Sequence, residues 1–543
     1  MQLSVAGLLA AIRLWLVSDQ PIWVTHHGEF DTTLFVRLAK NLSNGEWLGP
    51  YTNRTLIKGP FYPLWITAAH LVGVPVQLSE QLLYVAACAA FVLALRPAFE
   101  RSGPLLVLYA ALLFQPGGYT YQATQGIVRE GIYPALTLLT IAGLLALALR
   151  ATRSLREQIP WAVVLSMSLG ALAITREERI WIVLGLVFAA AWTGVRIWRW
   201  SLTGLADRGV LWAVVLGAAA VPSLIVCSLN WRYYGVFTVS ELDTTEFRAA
   251  YGALSRVKPP QLIANVPLTR ATREKIYRVS PAFSELQPCF EKGRGRGWAN
   301  NGPKDEHTRK EVLGGWFVWA LRDCVADAGH YGSGRFPADF YRRVAGEVDE
   351  ACAAARLKCY AKRATLAPVL HASEVAPISR SELRALWRLV TFEECDSRPR
   401  PSADGTLMQM YFEMTGGRVF DPARDTSRWK LLEGITLSYR LILPIAAVLA
   451  LFEYAYETWR VALSREAPPE WMISTTLIAA GGVRVVLLAI LEFTWAFPAL
   501  SPRYLSPVYP LVVAFVTLNV AQWARRAVDG SRKIRGAFAI IHA

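Results

Sequence analysis

The stretch "GEFDTTLFVRLAKNLSNGEWLGPYTNRTLIKG", from Gly28 to Gly59, begins with the acids Glu29 and Asp31, continues with an apolar stripe, and ends with the cations Arg54 and Lys58. It follows the first apolar segment of the chain, "MQLSVAGLLAAIRLWLVSDQPIWV". Leu34, Leu38 and Leu42 recur at intervals of four, which predicts a helix with one apolar side. The stretch "PFYPLWITAAHLVGV" predicts a second such helix. Amphipathic helices beside an apolar segment are typical of the membrane interface, so the loop predicts a membrane protein with two juxtamembrane helices.

The composition agrees, because 53% of the residues are hydrophobic and only 18% are charged. A typical soluble domain has about 25% charged residues. A membrane-spanning helix needs about 20 mostly apolar residues, and ten segments approach this length. They are 3–23, 78–97, 103–118, 131–150, 160–175, 179–197, 209–229, 433–455, 472–493 and 504–523. The first segment has no basic residues before its apolar part and no clear cleavage site, which favours a span over a signal peptide.

Basic residues lie in the short loops between these segments and predict the topology. Examples are Arg153 in one loop, Arg199 in the next and Arg526 in the C-terminal tail. Cytoplasmic loops are enriched in Lys and Arg. Ten spans with both termini inside place all three regions on the cytoplasmic face, in the plasma (inner) membrane, and put residues 24–77 and 230–431 outside.

The net charge of +15 does not favour a nucleic-acid partner, because it is spread over the loops and the outer segment. The predicted organisation has three parts. Residues 1–229 form an N-terminal transmembrane catalytic module with seven spans, and residues 230–431 form an extracytoplasmic, mostly α or α+β domain. Residues 432–543 form a C-terminal module with three spans and a basic tail. Overall, the chain is predicted to be an α-helical polytopic membrane protein.

Five of the seven cysteines lie in the outer segment, at Cys289, Cys324, Cys352, Cys359 and Cys395. No C-x-x-C pair occurs, which argues against structural zinc. In an oxidising compartment up to two disulfides can form with one cysteine left over. The pair closest in sequence, Cys352 and Cys359, is the first candidate.

Charged and aromatic residues cluster at the predicted outer ends of the spans. They are Glu29, Asp31, Arg54, Lys58, Tyr62, Arg129, Glu130, Arg176, Glu177, Arg503 and Tyr504. Charges near membrane depth are costly unless paired or hydrated, so they favour a functional cavity. Pairing at helix ends or binding of lipid headgroups is the alternative.

These motifs resemble the GT-C glycosyltransferases that use lipid-phosphate sugars, such as protein mannosyltransferases and aminoarabinose transferases. The similar features are an acid after the first span, two juxtamembrane helices, and the K-x-P-x-Y-P pattern of "KGPFYP". The stretch "SPRYLSPVYPL", from Ser501 to Leu511, resembles the start of a late span in that group. The resemblance covers the membrane part, whereas residues 230–431 match no domain of the family.

The resemblance implies an inverting transfer from a polyprenyl-phosphate sugar to a glycan, lipid or protein acceptor. Asp31 would be the base, with Glu29 as the acid that could replace it. Arg54 and Lys58 would bind the donor phosphate, assisted by Arg129, Arg176 or Arg503. The remaining site residues, Tyr62, Glu130, Glu177 and Tyr504, would contact substrate. The polyprenyl-phosphate sugar would be the donor substrate, and no cofactor is predicted with certainty.

Several alternatives stay open. Asp31 could be the N-cap of the helix that begins at "TTLF". His26 and His27 beside the two acids raise a possible divalent cation at Glu29 and Asp31. At the level of function, a transporter or flippase of a lipid-linked or anionic substrate is one alternative, and a non-catalytic envelope assembly protein is another.

Overall fold

The computed structural model describes residues 2–24, 31–176, 181–198, 202–263, 265–303, 305–368, 370–400, 402, 405–464 and 466–541. Regular structure in these ranges is helical. Extended pairing within them is limited to an isolated bridge between Val257 and Cys359.

The described residues of the N-terminal part form ten α-helices. They are α1 (Gln2–Val17), α2 (Thr32–Ser43), α3 (Phe61–Leu71), α4 (Val76–Leu95), α5 (Gly103–Leu113), α6 (Tyr121–Thr124), α7 (Tyr133–Leu149), α8 (Leu155–Ala173), α9 (Trp181–Trp198) and α10 (Leu202–Tyr234). The predicted juxtamembrane helices are confirmed as helices by α2 and α3. Leu34 and Leu38 of α2 are buried as the apolar stripe requires, and α2 packs against α3.

The polar segment and the C-terminal part are also helical. The polar segment contains α11 (Thr245–Ser255), α12 (Arg270–Tyr277), α13 (Pro281–Ser284), α14 (Gln287–Lys292), α15 (Arg294–Gly297), α16 (Gly314–Asp327), α17 (Arg335–Ala353), α18 (Val375–Thr391) and α19 (Gly405–Thr415). The C-terminal part contains α20 (Pro422–Ser464), α21 (Pro469–Trp495), α22 (Pro502–Leu505) and α23 (Tyr509–Ile541).

A helix lies at each of the ten predicted segments, although only some can cross a bilayer by length and composition. Five described helical stretches meet both criteria, and they are Val76–Ala98, Arg129–Leu149, Arg208–Tyr234, Pro422–Ser464 and Pro469–Trp495. Shorter apolar helices are Leu3–Val17, Gly103–Leu113 and Trp181–Trp192. These helices make the chain an integral membrane protein, whereas the count of ten spans and the outer location of the loops stay predictions.

Two predicted segments run five or six residues past the C-terminal end of their helix, each for a reason visible in the backbone. The first segment leaves the helix after Val17, and the amide of Trp23 instead donates to the carbonyl of Gln125 at 2.8 Å. Pro21 cannot donate the amide hydrogen that a continuing helix needs. The third segment ends at Leu113 rather than at residue 118, because "PGG" at 116–118 breaks the helix.

The buried apolar residues form two large cores. The first contains the membrane helices around α7, which is buried along nearly its whole length. It also contains Leu389 of α18 and Tyr411 of α19. The second core contains buried residues of the polar segment between α11 and α17, together with Leu38 and Leu56 of the first loop. The long polar segment therefore contributes side chains to both cores.

Two disulfides crosslink the region of the second core. Cys352 pairs with Cys359, as predicted, and Cys289 pairs with Cys324. Cys395 is the cysteine left over, and its thiol contacts the Tyr509 hydroxyl at 3.5 Å. The pattern of two bridges and one remaining thiol in the polar segment is confirmed.

Candidate active site

Asp31 immediately precedes α2, and its carboxylate faces two cations. One oxygen forms an ion pair with the Lys58 ammonium, and the other lies 3.4 Å from Nη2 of Arg503. The side chain keeps 32% of its surface exposed. Asp31 occupies the N-cap position of α2, yet its carboxylate makes no capping hydrogen bond within the described residues. The carboxylate is therefore directed at cations rather than at the helix end.

Lys58 reaches Asp31 from a loop that is packed tightly against α8. Gly59 lies so close to the carbonyl of Ile174 that a Cβ atom there would collide with it. The amide of Phe61 also donates to that carbonyl at 3.2 Å. The Lys58 ammonium lies over the rings of Phe35, at 5.3 Å, and Trp319, at 5.6 Å. With only 9% of its side chain exposed, Lys58 is a positioned cation rather than a mobile surface lysine.

Arg503, in the short helix α22, joins the exposed acid to a buried one. Its Nη2 faces Asp31, and its Nε lies 3.3 Å from Oε2 of Glu130. The guanidinium lies 5.5 Å from the centre of the Tyr504 ring. Since Arg is planar with several fixed donors, it can hold two carboxylates at a set separation.

Glu130 and Arg176 form an ion pair at the bottom of the site, and each side chain is 1% exposed. The Arg176 guanidinium lies over the rings of Tyr133, at 5.1 Å, and Tyr504, at 5.3 Å. Removing charges from water costs several kcal/mol per ion unless they are paired and hydrogen-bonded. This buried pair therefore has a fixed position, and Glu130 in turn fixes the position of Arg503.

Together these side chains form a line of alternating charge that we call the charge cluster, defined as Lys58, Asp31, Arg503, Glu130 and Arg176. Its members come from four separate parts of the chain, and each was predicted as a site residue. Arg129 lies at its edge, where Nη1 donates to the carbonyl of Thr175 at 2.8 Å. Exposure falls along the line from Asp31 to Arg176, so among the described members of the cluster the Asp31 end is the more open to solvent.

The remaining predicted site residues do not belong to the charge cluster. Tyr504 covers the cluster through its ring, whereas the Tyr62 hydroxyl donates to Glu80 at 2.7 Å. Burial and the neighbouring Glu80 raise the pKa of Tyr62 well above its ordinary value. Arg54 is half-buried in the same loop as Lys58, and its contact with donor phosphate stays a prediction. Glu29 and Glu177 lie outside the described residues.

Two residues of this region were missed from sequence. Glu80 lies in α4, and its carboxylate packs against Gly131, next to Glu130. An acid within an apolar helix is itself a signal of function, so "LSEQLL" could have revealed it. Trp319 lies in α16 of the polar segment, and no pattern in the sequence connects it with Lys58.

The polar segment covers the site through α16. Gly314 and Gly315 at its start pack against Trp495 and Phe497, where a Cβ atom would be crowded. The Phe497 ring in turn packs edge-on against Tyr504, with ring centres 5.0 Å apart. The contact between α16 and the end of α21 therefore places Trp319 beside Lys58.

Within the described residues, no group of three His, Cys, Asp or Glu side chains is placed to hold a metal ion. His26, His27 and Glu29 are outside those residues, so a divalent cation at Glu29 and Asp31 stays a prediction.

Comparison with solved structures gives distant similarities. No protein-family model matches the chain, and no curated protein matches it. The chain is similar to the oligosaccharyltransferase of Archaeoglobus fulgidus in its apo form, at 13% identity and a TM-score of 0.36, over 100% of this chain and 54% of that one. The same enzyme tethered to an acceptor peptide with the NVT sequon matches at 12% identity and a TM-score of 0.35, over 96% and 49%.

The chain is also similar to ArnT from Cupriavidus metallidurans in the apo state. That match has 13% identity and a TM-score of 0.33, over 91% of this chain and 76% of that one. The chain spans about half the length of the archaeal enzyme. Likenesses at this level carry no argument about this chain, so the functional argument comes from the charge cluster.

Proposed function

We propose that the protein is an integral membrane glycosyltransferase that moves a sugar from a polyprenyl-phosphate donor to an extracytoplasmic acceptor, with inversion at the anomeric carbon. The observation that carries this proposal is the position of Asp31. Its carboxylate is one-third exposed and lies between Lys58 and Arg503. An accessible base beside two positioned cations suits a reaction that takes a proton and releases a phosphate.

The donor chemistry explains the residue types. The anomeric carbon of such a donor is bonded to phosphate, which is already a good leaving group, so a general acid is not needed. The acceptor hydroxyl does need a base, and Asp31 accepts its proton. The acceptor oxygen then bonds to the anomeric carbon while the bond from that carbon to the phosphate oxygen breaks. The polyprenyl phosphate leaves with the electron pair, and a single in-line displacement inverts the centre.

Lys58 and Arg503 stabilise the charge that develops on the phosphate. Preorganised cations in a partly dry site act on the transition state more strongly than they do in water. In the structure Asp31 neutralises these same cations. We infer that an incoming phosphate competes for them and frees the carboxylate to act as base.

Glu130 and Arg176 have a positioning role in this scheme. Glu130 is almost completely buried, so it cannot reach the proton of an acceptor, and a guanidinium cation such as Arg176 cannot act as a base. Glu130 instead holds Arg503 at 3.3 Å. In this scheme Asp31, the more exposed acid, is the base, and Glu130, the buried acid, positions Arg503.

The test uses membranes that contain the full-length protein, supplied with a panel of polyprenyl-phosphate sugars and cell-envelope acceptors. The parent protein is expected to transfer sugar from at least one donor. The Asp31→Asn variant is expected to lose this transfer. Asp396→Asn is a matched control, because its side chain is also 32% exposed and paired with arginine. Full transfer by Asp31→Asn would overturn the assignment of the base.

A second experiment distinguishes the glycosyltransferase from a transporter and from an assembly protein. Uptake of substrate into vesicles, driven by an ion gradient and without a new glycosidic bond, would support the transporter. Sugar transfer that persists without any gradient would exclude that reading. Binding of envelope components with no transfer from any donor would favour the assembly protein.

A further inference from the structure

A cavity of about 480 Å³ lies in the polar segment, separate from the charge cluster. Its walls come from the end of α10, the first turns of α11 and α17, and the loop that contains Tyr51 and Leu56. Small-molecule sites have volumes of roughly 300–1,000 Å³. We call this space the outer cavity.

Aromatic faces and polar groups share the wall of the outer cavity. Trp231 and Phe237 stand at its edge, with 55% and 58% of their surfaces exposed. The guanidinium of Arg335 lies over the Trp231 ring at 5.6 Å. Carboxylates and hydroxyls complete the wall, including those of Asp339 and Thr245. A flat aromatic platform beside donors and acceptors fits a ring with an apolar face and a polar edge.

The back of the outer cavity is held by a buried network around Glu241. The hydroxyls of Tyr331 and Tyr51 donate to its carboxylate at 2.5 Å and 3.3 Å. Arg322 pairs with the same carboxylate at 2.6 Å, and the hydroxyls of Tyr331 and Tyr341 are 3.1 Å apart. A wall fixed in this way presents its groups without reorganisation when a ligand binds.

The carboxylates at the rim have partners of their own. Asp243 pairs with Arg248 at 2.5 Å, and Arg342 pairs with both Glu246, at 3.1 Å, and Asp339, at 2.6 Å. The rim is therefore close to neutral while it still offers many hydrogen-bonding atoms. This balance suits an uncharged polyhydroxylated ligand better than a free anion or cation.

The outer cavity and the charge cluster share one loop. Leu56 lines the cavity and Lys58 pairs with Asp31, only two residues later. Their Cα atoms can be no more than about 7 Å apart. The amide of Glu241 also donates to the carbonyl of Leu56 at 2.8 Å, which fixes the loop between the two sites.

We propose that the outer cavity binds a saccharide unit of the acceptor, with Trp231 as its stacking platform. This inference rests on the proposed function, since it names the acceptor class as a glycan. It places the glycan against the loop that also carries Lys58 of the charge cluster.

The experiment measures binding by the intact protein in lipid nanodiscs. The probes are free disaccharides of hexoses, pentoses and N-acetylhexosamines at millimolar concentration, observed by saturation-transfer NMR. At least one probe is expected to bind, and Trp231→Ala is expected to weaken that binding about tenfold or more. Trp231→Phe keeps an aromatic face and is expected to retain most of the binding. Trp459→Ala, at a position 60% exposed on α20, is the matched control and should bind as the parent does.

The outcomes separate this inference from the proposed function. No binding by any probe, or equal binding by Trp231→Ala and the parent, overturns the saccharide site. If sugar transfer occurs while Trp231→Ala leaves the KM for acceptor unchanged, the saccharide site fails and the glycosyltransferase stands. If Lys58→Ala and the parent both bind the disaccharide but neither transfers sugar from any polyprenyl-phosphate donor, the proposed function fails and the saccharide site stands.

Discussion

Arg503 Nε lies 3.3 Å from Oε2 of Glu130, so the segment before the last helix is joined to the turn before α7. These residues are separated by more than 370 positions in sequence. Through Nη2, the same arginine also reaches Asp31. One guanidinium therefore connects the buried end of the charge cluster to the exposed end, and this connection motivates the first two predictions.

Arg503→Lys is expected to lower kcat/KM nearly as much as Arg503→Ala, on the order of a hundredfold. Lysine keeps the charge but is a compact point cation, and it cannot face two carboxylates as a planar fork does. The measurement is sugar transfer in membranes at matched protein levels. Arg398→Lys is the control, because that arginine is 61% exposed and pairs with surface acids. Full activity of Arg503→Lys would contradict the bridging role.

Glu130→Gln is expected to destabilise the protein by about 3–5 kcal/mol, because it leaves the buried Arg176 without its charged partner. Arg176→Gln should have a similar cost. The double variant is expected to lose less than the sum of the two, since neither charge is then left alone. Thermal unfolding in detergent measures all three. Additive losses would show that the two side chains act independently.

Trp319→Ala is expected to lower kcat/KM by about twofold to thirtyfold, the range that corresponds to losing one cation–π contact. The indole helps to fix Lys58, with the ammonium 5.6 Å from its ring. Trp319→Phe keeps an aromatic face and should lose less. An unchanged rate for Trp319→Ala, with normal folding, would show that the polar segment does not act on Lys58.

Removing the two disulfides is expected to have unequal effects. The Cys289–Cys324 bridge spans 35 positions, and loop-closure entropy predicts a contribution of about 4 kcal/mol. The Cys352–Cys359 bridge spans 7 positions, and the same relation predicts about 2 kcal/mol. Paired Cys→Ser variants and thermal unfolding test this order. Equal losses, or a larger loss at the short bridge, would contradict the loop-length argument.

Local features of the sequence predicted many of the helices and one disulfide of the polar segment. The stripe of Leu34 and Leu38 predicted α2, because side chains four apart share one side of a helix. Apolar runs predicted the positions of the long helices, since apolar surface has to be buried in protein or lipid. Cys352 and Cys359 are close enough in sequence that pairing required little knowledge of the fold. Each of these inferences rests on an interaction between near neighbours in the chain.

Only the tertiary structure decided which charges meet. The sequence alone identified Asp31, Lys58, Glu130, Arg176 and Arg503 as candidates, but their order of pairing depends on how α3, α7, α8 and α22 pack. Trp319 was missed for the same reason, because its partner Lys58 is distant in sequence. An ion pair or a ring contact acts over a few ångströms in space and leaves no periodic pattern along the chain. The sequence therefore determined the residue types of the site, and the packing of the helices determined which acid is exposed and which is buried.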